Sequence, residues 1–222
     1  MKQDSFWENP EVVERFVRRE PDHRLVPLLA TAPKNWKILD IGCAAGRNTV
    51  FLAEQGFDVF ALDASKAMVE KTRERLSVFM SYEEARQRVI QGQMQNLSMF
   101  EDKVFELVVA LGVYQDAESF EIWQQAVTES ARVLKRGGLC LVAQFAPDHQ
   151  PHGKQARAVE GEPHVFVGAS RDDERRLTLL DASEMDKEFA RVGLFPKTAT
   201  EQVQRTTEKG FRSTVNGLYQ KS

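Results

Sequence analysis

The chain has 222 residues, of which 42% are hydrophobic and 28% are charged, so it can bury a substantial core and should not be disordered. Its 30 Lys and Arg against 33 Asp and Glu give a net charge of -3, which excludes the broad positive field of a nonspecific nucleic-acid binder. No apolar stretch is long enough to span a bilayer, and the first residues have no signal-peptide core. We therefore expect a cytoplasmic protein without membrane contact.

The hydrophobic pattern alternates between strand-like and helical spacing, which is typical of an α/β fold. A first helix is predicted with Asn9 as its cap and Pro10 in its first turn, and a buried strand, "KILDIG", follows. A helix over 47–55 ending at Gly56 leads to the strand "FDVFALD". Ser65 can cap the next helix, whose predicted apolar stripe consists of Val69, Thr72, Leu76 and Phe79.

Three further strands are predicted at "RVIQG", "FELVVALGV" and "LCLVAQF". The last two flank an amphipathic helix that begins near Phe120 and ends at "KRGG". Five strand and helix alternations thus fill 37–146. With right-handed crossovers they form an open, doubly wound parallel sheet.

The chain after 146 has a different pattern. "HVFVGASRDDERRLTLLD" predicts extended segments around a charged turn, and Ser183 with Asp186 predicts a capping box for a helix that stops at Gly193. "PKTATEQVQRTT" and "FRSTVNGLYQ" predict a closing hairpin. We predict one domain over 1–222, divided into an N-terminal helical cap (1–35), a cofactor-binding core (36–146), a polar substrate-side insert (147–182), and a C-terminal helix with hairpin (183–222).

The turn after the first strand, within "ILDIGCAAGRN", is the candidate ligand cradle, because ligands of such sheets bind beyond the carboxyl ends of the strands. A dinucleotide fingerprint starting at Gly42 needs glycines where Ala44 and Arg47 stand. The nucleotide-triphosphate loop, G-x-x-x-x-G-K-[ST], is also absent. What is present is D-x-G-x-x-x-G from Asp40 to Gly46, with Asp63 ending the second strand.

These motifs resemble those of the class I S-adenosylmethionine-dependent methyltransferase family. "LDIGCAAG", "ALDAS", "IQGQM", "ELVVALGV" and "LKRGG" occur in the family's order over 36–146. The "GCAAGRN" form is most similar to the small-molecule branch, including tellurite-resistance-type methyltransferases. The resemblance implies a Rossmann-like, mostly parallel seven-stranded sheet with an antiparallel C-terminal hairpin.

The resemblance also implies S-adenosyl-L-methionine as cofactor. This sulfonium has two ribose hydroxyls and an ammonium but no phosphate, so the Asp63 carboxylate can accept both hydroxyl protons. Asp40 can orient the loop or reach the ammonium through water. Gln93 stands where many family members have Asp, and its amide can still bond to adenine. The implied cofactor-binding residues are Asp40, Gly42, Cys43, Ala44, Gly46, Asn48, Asp63, Ala64, Gln93, Met94, Leu111 and Gly112.

Several of these residues also have simpler interpretations. Asp40 and Asp63 taken singly fit turn or strand-end roles, and Cys43 fits a small buried filler. Arg47 and Asn48 open a helix and fit either capping or cofactor contact. Neither cysteine, Cys43 nor Cys140, lies in a disulfide or metal-binding pattern.

The catalytic residue is not identified by any motif. Tyr114 and His149 are the candidates for a base, if the acceptor is a thiol or phenol. Asp148, His149, His152 and His164 fall in the polar insert, where surface histidines are commoner than ligands, so no metal is expected. Phe6 and Trp7 fit either an aromatic lid over the cofactor or a hydrophobic staple onto Val13.

The predicted function is methyl transfer to a small-molecule acceptor by in-line displacement. The "NPPY"-type signature of nucleic-acid amine methyltransferases is missing, since "LGVYQD" stands in that place, so nucleic acid is a disfavoured partner. The alternatives are a protein or RNA methyltransferase and a noncatalytic cofactor-binding partner subunit. Neither the acceptor atom nor the oligomeric state follows from the sequence.

Overall fold

The structure, a computed structural model, describes residues 6–168 and 174–222. The chain divides into two compact units. The first unit runs to Met94 and includes Phe105–Val109, and the second comprises Gln95–Val104 and Ala110–Ser222. The single domain with four segments stays a prediction. Within 6–168 and 174–222, none of the helices combines the length and apolar character that crossing a membrane requires.

The first unit contains the helices and strands that surround the candidate cradle. Asn9 and Ser65 cap two of its helices as predicted, because their side chains accept the N–H groups of Glu11 and Met68. Its elements are α1 (Pro10–Val17), α2 (Leu25–Leu29), β1 (Lys37–Ile41), α3 (Arg47–Glu54), β2 (Asp58–Asp63), α4 (Lys66–Leu76), α5 (Tyr82–Arg88) and β3 (Val89–Gln91).

Strand β4 (Phe105–Leu111) contributes residues to both units. A 3-10 turn (Tyr114–Asp116) follows it in the second unit. The remaining elements are α6 (Phe120–Val133), β5 (Leu134–Phe145), β6 (Arg157–Ala158), β7 (Val165–Val167), β8 (Leu177–Thr178), α7 (Ala182–Arg191), β9 (Leu194–Pro196), β10 (Glu201–Thr206) and β11 (Phe211–Lys221).

The main sheet confirms the doubly wound fold. Among the described residues its strands follow the order β10-β11-β5-β4-β1-β2-β3, so the strand order reverses at β1 and β4. Strand β1 is parallel to β2 and β4, whereas β11 is antiparallel to β5 and β10. Instead of seven strands, the described part of this sheet has eight, because β9 pairs with the far end of the long strand β11.

Some predicted boundaries were wrong. Helix α4 ends at Leu76, so Phe79 lies beyond it and is 45% exposed, outside the stripe that buries Val69 and Thr72. The "KRGG" segment belongs to β5, which begins directly after α6. The reason is that the N–H groups of Lys103 and Val104 pair with the carbonyls at the end of α6.

The C-terminal half shows two further differences. The capping box of α7 is formed by Asp181 with Glu184, not by Ser183 with Asp186, because the helix begins at Ala182 and places Glu184 at its third position. Within the predicted insert, β6, β7 and β8 form a separate antiparallel sheet. The charged turn predicted there includes 169–173, which lie outside the described residues.

Candidate functional site

The loop after β1 has a backbone that depends on glycine. Gly42, Ala44 and Gly46 have φ angles of 70°, 48° and 79°, all in the left-handed region. A Cβ atom on Gly46 would lie 2.9 Å from Cγ2 of Thr72 in α4. Gly46 is therefore required both for the turn and for the close approach of α4 to the loop.

Four N–H groups of this loop are bonded within the protein. These four are therefore not available to the phosphate of a ligand. The bonds run from Gly42 and Cys43 to the Leu62 carbonyl (2.7 and 3.1 Å), from Ala44 to Oδ2 of Asp63 (2.8 Å), and from Gly46 to the Cys43 carbonyl (2.9 Å).

Asp63, at the carboxyl end of β2, is half-buried beside this loop. Its Oδ1 accepts the Ser65 N–H at 2.9 Å and its Oδ2 accepts the Ala44 N–H at 2.8 Å. Burial raises the pKa of Asp63, while these N–H donors oppose the rise and the charge of Glu8 adds to it. Each carboxylate oxygen retains lone-pair capacity for a further donor from a ligand.

Asp40 is buried in β1, with only 1% of its surface exposed. Its Oδ2 accepts the Thr49 hydroxyl at 2.7 Å, which ties the end of β1 to the first turn of α3. Burial raises the pKa of Asp40 to about 7, against the lowering effects of the Thr49 bond and the Arg47 charge. These contacts suit the loop-orienting role more directly than ligand contact.

Asn48 and Arg47 hold a segment that the sequence patterns did not single out. The Asn48 Oδ1 accepts the Asp22 N–H at 2.9 Å, and Arg47 Nη2 lies 3.6 Å from the Asp22 carboxylate. Arg24 forms a two-pronged contact with that carboxylate at 2.7 and 2.8 Å. Burial alone would raise the pKa of Asp22, but the Arg24 hydrogen bonds and charge, with Arg47, lower it to about 2.

Four other predicted cofactor residues also lie in the first unit. Cys43 is 3% exposed and burial raises the pKa of its thiol well above the usual value, as suits a buried filler. Ala64 is exposed, and its carbonyl accepts the Gln91 side-chain amide at 3.1 Å. Gln93 is exposed and Met94 is buried.

Leu111 and Gly112 lie in the second unit, where β4 ends. Leu111 is half-buried and Gly112 is exposed with a φ of 87°. The Gly112 N–H donates to the Ala143 carbonyl at 2.7 Å, and its own carbonyl accepts the Gln115 amide at 2.6 Å.

The environments of Tyr114 and His149 do not favour either as a base. Tyr114 is fully buried, its hydroxyl pairs with that of Ser130 at 2.7 Å, and burial raises its pKa well above the usual value. The Nδ1 of His149 accepts the Ser213 N–H at 3.2 Å, so the neutral ring carries its proton on Nε2. Burial and the charge of Arg212 lower the pKa of His149 to about 4.

Two of the other insert residues, Asp148 and His164, have protein partners. Asp148 accepts the side-chain amides of Gln202 and Gln204, and His164 lies 3.6 Å from Glu184. Across 6–168 and 174–222, no group of three or more His, Cys, Asp or Glu side chains is placed to hold a metal ion.

Trp7 lies at the start of α4, and Phe6 packs edge-on against Trp7 with ring centroids 5.0 Å apart. Ser65 Oγ donates to the Trp7 carbonyl at 3.1 Å, and the Ala67 N–H donates to the Glu8 carboxylate at 3.1 Å. Trp7 packs on the cluster that contains Val13, which agrees with the staple. The aromatic lid stays a prediction.

Comparison with known proteins places these features in context. The model of a methyltransferase domain matches residues 38–138. Malonyl-[acyl-carrier protein] O-methyltransferase of Enterobacter lignolyticus is 28% identical over 137 residues, covering 61% of this chain and 50% of the relative. The chain thus spans half the length of that curated relative.

Two solved structures share the fold. The PH0226 protein of Pyrococcus horikoshii superposes with a TM-score of 0.69 at 19% identity, covering 100% of this chain and 96% of the other. The 1,6-didemethyltoxoflavin-N1-methyltransferase of Burkholderia thailandensis, solved with 1,6-didemethyltoxoflavin and S-adenosylhomocysteine, has a TM-score of 0.65 at 16% identity. That match covers 88% of this chain and 75% of the other.

Proposed function

Because the chain belongs to the class I S-adenosylmethionine-dependent methyltransferase family, we propose that it transfers a methyl group from S-adenosylmethionine to a small-molecule acceptor. The observation that carries the proposal is the half-buried Asp63 carboxylate beside a glycine loop in which four N–H groups are already bonded within the protein. A ribose needs such a carboxylate for its hydroxyls, and a ligand without phosphate needs no free N–H groups.

The charges of the first unit suit a cationic cofactor. Asp63 adjoins the loop, and the Glu8 carboxylate acts electrostatically on it. Arg47, the cation that opens α3, lies close to the Asp22 carboxylate. The sulfonium and ammonium of S-adenosylmethionine outnumber its one carboxylate, so a negative environment favours it over a dinucleotide with two phosphates.

The proposed cofactor set keeps the residues implied by the family motifs. Asp63 accepts the ribose hydroxyls, and Gly42 and Gly46 let the methionyl part approach backbone. Asp40 acts through Thr49 on the loop. The full set is Asp40, Gly42, Cys43, Ala44, Gly46, Asn48, Asp63, Ala64, Gln93, Met94, Leu111 and Gly112.

The mechanism relies on positioning. S-adenosylmethionine supplies a methyl group on a positively charged sulfur, and that charge disappears during in-line displacement. The protein's task is then to align the nucleophile and exclude water, without a dedicated base. The buried Tyr114 hydroxyl and the neutral, low-pKa His149 support this, because neither is poised to take a proton near pH 7.

The small-molecule class of acceptor is supported by the name of a similar protein. One structural neighbour is an N1-methyltransferase solved with 1,6-didemethyltoxoflavin, which is a small molecule. The alternatives are transfer to protein or RNA and a noncatalytic cofactor-binding subunit.

Calorimetric titration of the purified protein with S-adenosylmethionine, and with NADH for comparison, tests the cofactor. We expect the sulfonium to bind and Asp63→Ala to weaken it at least tenfold, about 1.4 kcal/mol. Asp58→Ala, at the opposite end of β2, is the matched control and should bind normally. Binding of neither ligand by the wild type would contradict the proposal.

Transfer of a tritiated methyl group into separate metabolite, protein and RNA pools tests the acceptor. Label in the metabolite pool supports a small molecule. Label confined to protein or RNA would refute that acceptor class while leaving the activity standing. No label in any pool, despite cofactor binding, would favour the noncatalytic subunit.

A further inference from the structure

Two buried glutamine side chains in the second unit each leave one polar atom without a hydrogen bond. Gln115 is 4% exposed and Gln144 is 1% exposed. The unbonded atoms, among the described residues, include Oε1 of Gln115 and Nε2 of Gln144. One is an acceptor and the other is a donor.

The amide orientations are set by the chemistry of the partners. The atom of Gln115 that meets the Gly112 carbonyl at 2.6 Å must be Nε2, because a carbonyl only accepts. The atom of Gln144 that meets Nε1 of Trp123 at 2.8 Å must be Oε1, because an indole only donates. Flipping either amide would break its existing bond, so the unbonded atoms keep these identities.

Both amides lie where strands of the main sheet end. Gln144 is the last residue but one of β5, and Gln115 lies in the 3-10 turn after β4. A hydrogen bond links their neighbourhoods, because the Gly112 N–H donates to the carbonyl of Ala143, which directly precedes Gln144. This edge is where α/β sheets bind ligands.

The two unbonded amide atoms lower the stability of the folded protein. A buried polar atom without a partner costs about 1 to 3 kcal/mol, whereas an apolar side chain of similar shape in the same place would cost little. Their surroundings are mainly aromatic and uncharged: Trp123 and Tyr114 are fully buried, with ring centroids 6.2 Å apart. Asp116 beside Gln115 lies 2.8 Å from Arg175, so that carboxylate is neutralised.

We propose that Gln115 Oε1 and Gln144 Nε2 bind the methyl acceptor, and that the acceptor therefore presents an uncharged hydrogen-bond donor and an uncharged hydrogen-bond acceptor, as hydroxyl and amide groups do. The inference rests on the proposed methyl transfer and specifies its substrate class. A charged group would lose its hydration without an opposite charge to meet. Because neither atom reaches solvent, the acceptor displaces the covering chain as it binds.

Gln144→Met removes the unbonded donor and also the oxygen that accepts from Trp123 Nε1. Trp123→Phe removes the indole N–H but keeps Gln144, so it controls for the loss of that bond. Gln115→Met removes the unbonded acceptor. Gln125→Met, an exposed glutamine of α6, is the matched control. Each variant is assayed for S-adenosylhomocysteine binding by calorimetry and for tritiated methyl transfer into a metabolite extract, and labelled products are identified by mass spectrometry.

We expect S-adenosylhomocysteine affinity to stay within twofold for all variants, metabolite labelling to fall at least tenfold for Gln144→Met and Gln115→Met, and the controls Gln125→Met and Trp123→Phe to match wild type. The labelled product should carry a neutral hydroxyl or amide. Labelling that persists in both variants would overturn the inference while the methyltransferase function stands. Loss of S-adenosylhomocysteine binding in both would also overturn it, since the amides would then serve the fold or the cofactor. If wild type labels no metabolite, the proposed function fails.

Discussion

Asp63 accepts the N–H of Ala44 at 2.8 Å, and Ala44 holds a φ of 48° that is uncommon for a residue with a side chain. The carboxylate thus stabilises the strained loop as well as offering a ligand contact. Since its other oxygen accepts the Ser65 N–H, both oxygens act as acceptors.

Asp63→Asn should consequently destabilise the protein even without cofactor. The amide supplies one acceptor oxygen and turns its NH2 group toward the second N–H, leaving that buried donor unpaired at about 1 to 3 kcal/mol. Urea unfolding measures the change, with Asp58→Asn as the comparison in the same strand. That variant weakens only a half-exposed ion pair with Arg88, so it should lose less stability. Equal free energies of unfolding for the two variants would contradict the structural role.

Gly46→Ala and Gly56→Ala form a second matched pair. Both glycines have φ near 80°. A Cβ atom on Gly46 would lie 2.9 Å from Thr72, whereas a Cβ atom on Gly56 would have no neighbouring atom within 4 Å. We expect Gly56→Ala to cost about 1 kcal/mol for backbone strain, and Gly46→Ala to cost more because α4 must also shift. Thermal unfolding reports the difference, and similar losses would show that the close approach of Thr72 is unimportant.

Asp40 makes stability depend on pH. Because burial raises its pKa to about 7 in the folded state, the folded protein holds a proton that the unfolded chain releases near its ordinary value of 3.8. The contribution of Asp40 to stability therefore falls as pH rises from about 4 to about 7, by at most about 1.4 kcal/mol per pH unit.

Asp40→Asn removes this titration and keeps an oxygen for the Thr49 hydroxyl. The free energy of unfolding of the variant minus that of wild type should increase over the same pH interval and level off above it. Chemical denaturation at several pH values measures this difference, which would stay constant if Asp40 were ionised throughout.

Tyr114→Phe tests the absence of a phenol base. Ser130 keeps its bond to the Ala126 carbonyl at 2.8 Å when the Tyr114 hydroxyl is removed, so the loss of stability should be about 1 kcal/mol. Methyl transfer and its pH profile should be unchanged. A rate loss of a hundredfold or more in a folded, cofactor-binding variant would reinstate Tyr114 as the base.

The sequence by itself determined the strand, glycine loop and helix around Asp40 and Gly46, the place of Asp63 at the end of β2, and the caps Asn9 and Ser65. These features depend on neighbours a few residues apart: alternating apolar positions, side chains that bond nearby N–H groups, and glycine at positive φ. Such local preferences do not depend on distant segments, so these features can be predicted from the amino-acid sequence.

Only the tertiary structure decided which side chains are free to act. The bonds of Asp22 to Asn48, His149 to Ser213 and Trp123 to Gln144 join residues 26, 64 and 21 positions apart. Burial of Tyr114 and the unbonded amide atoms of Gln115 and Gln144 likewise arise only when strands and helices pack. Hydrogen-bond satisfaction and desolvation are properties of that packing, and no local pattern in the sequence encodes them.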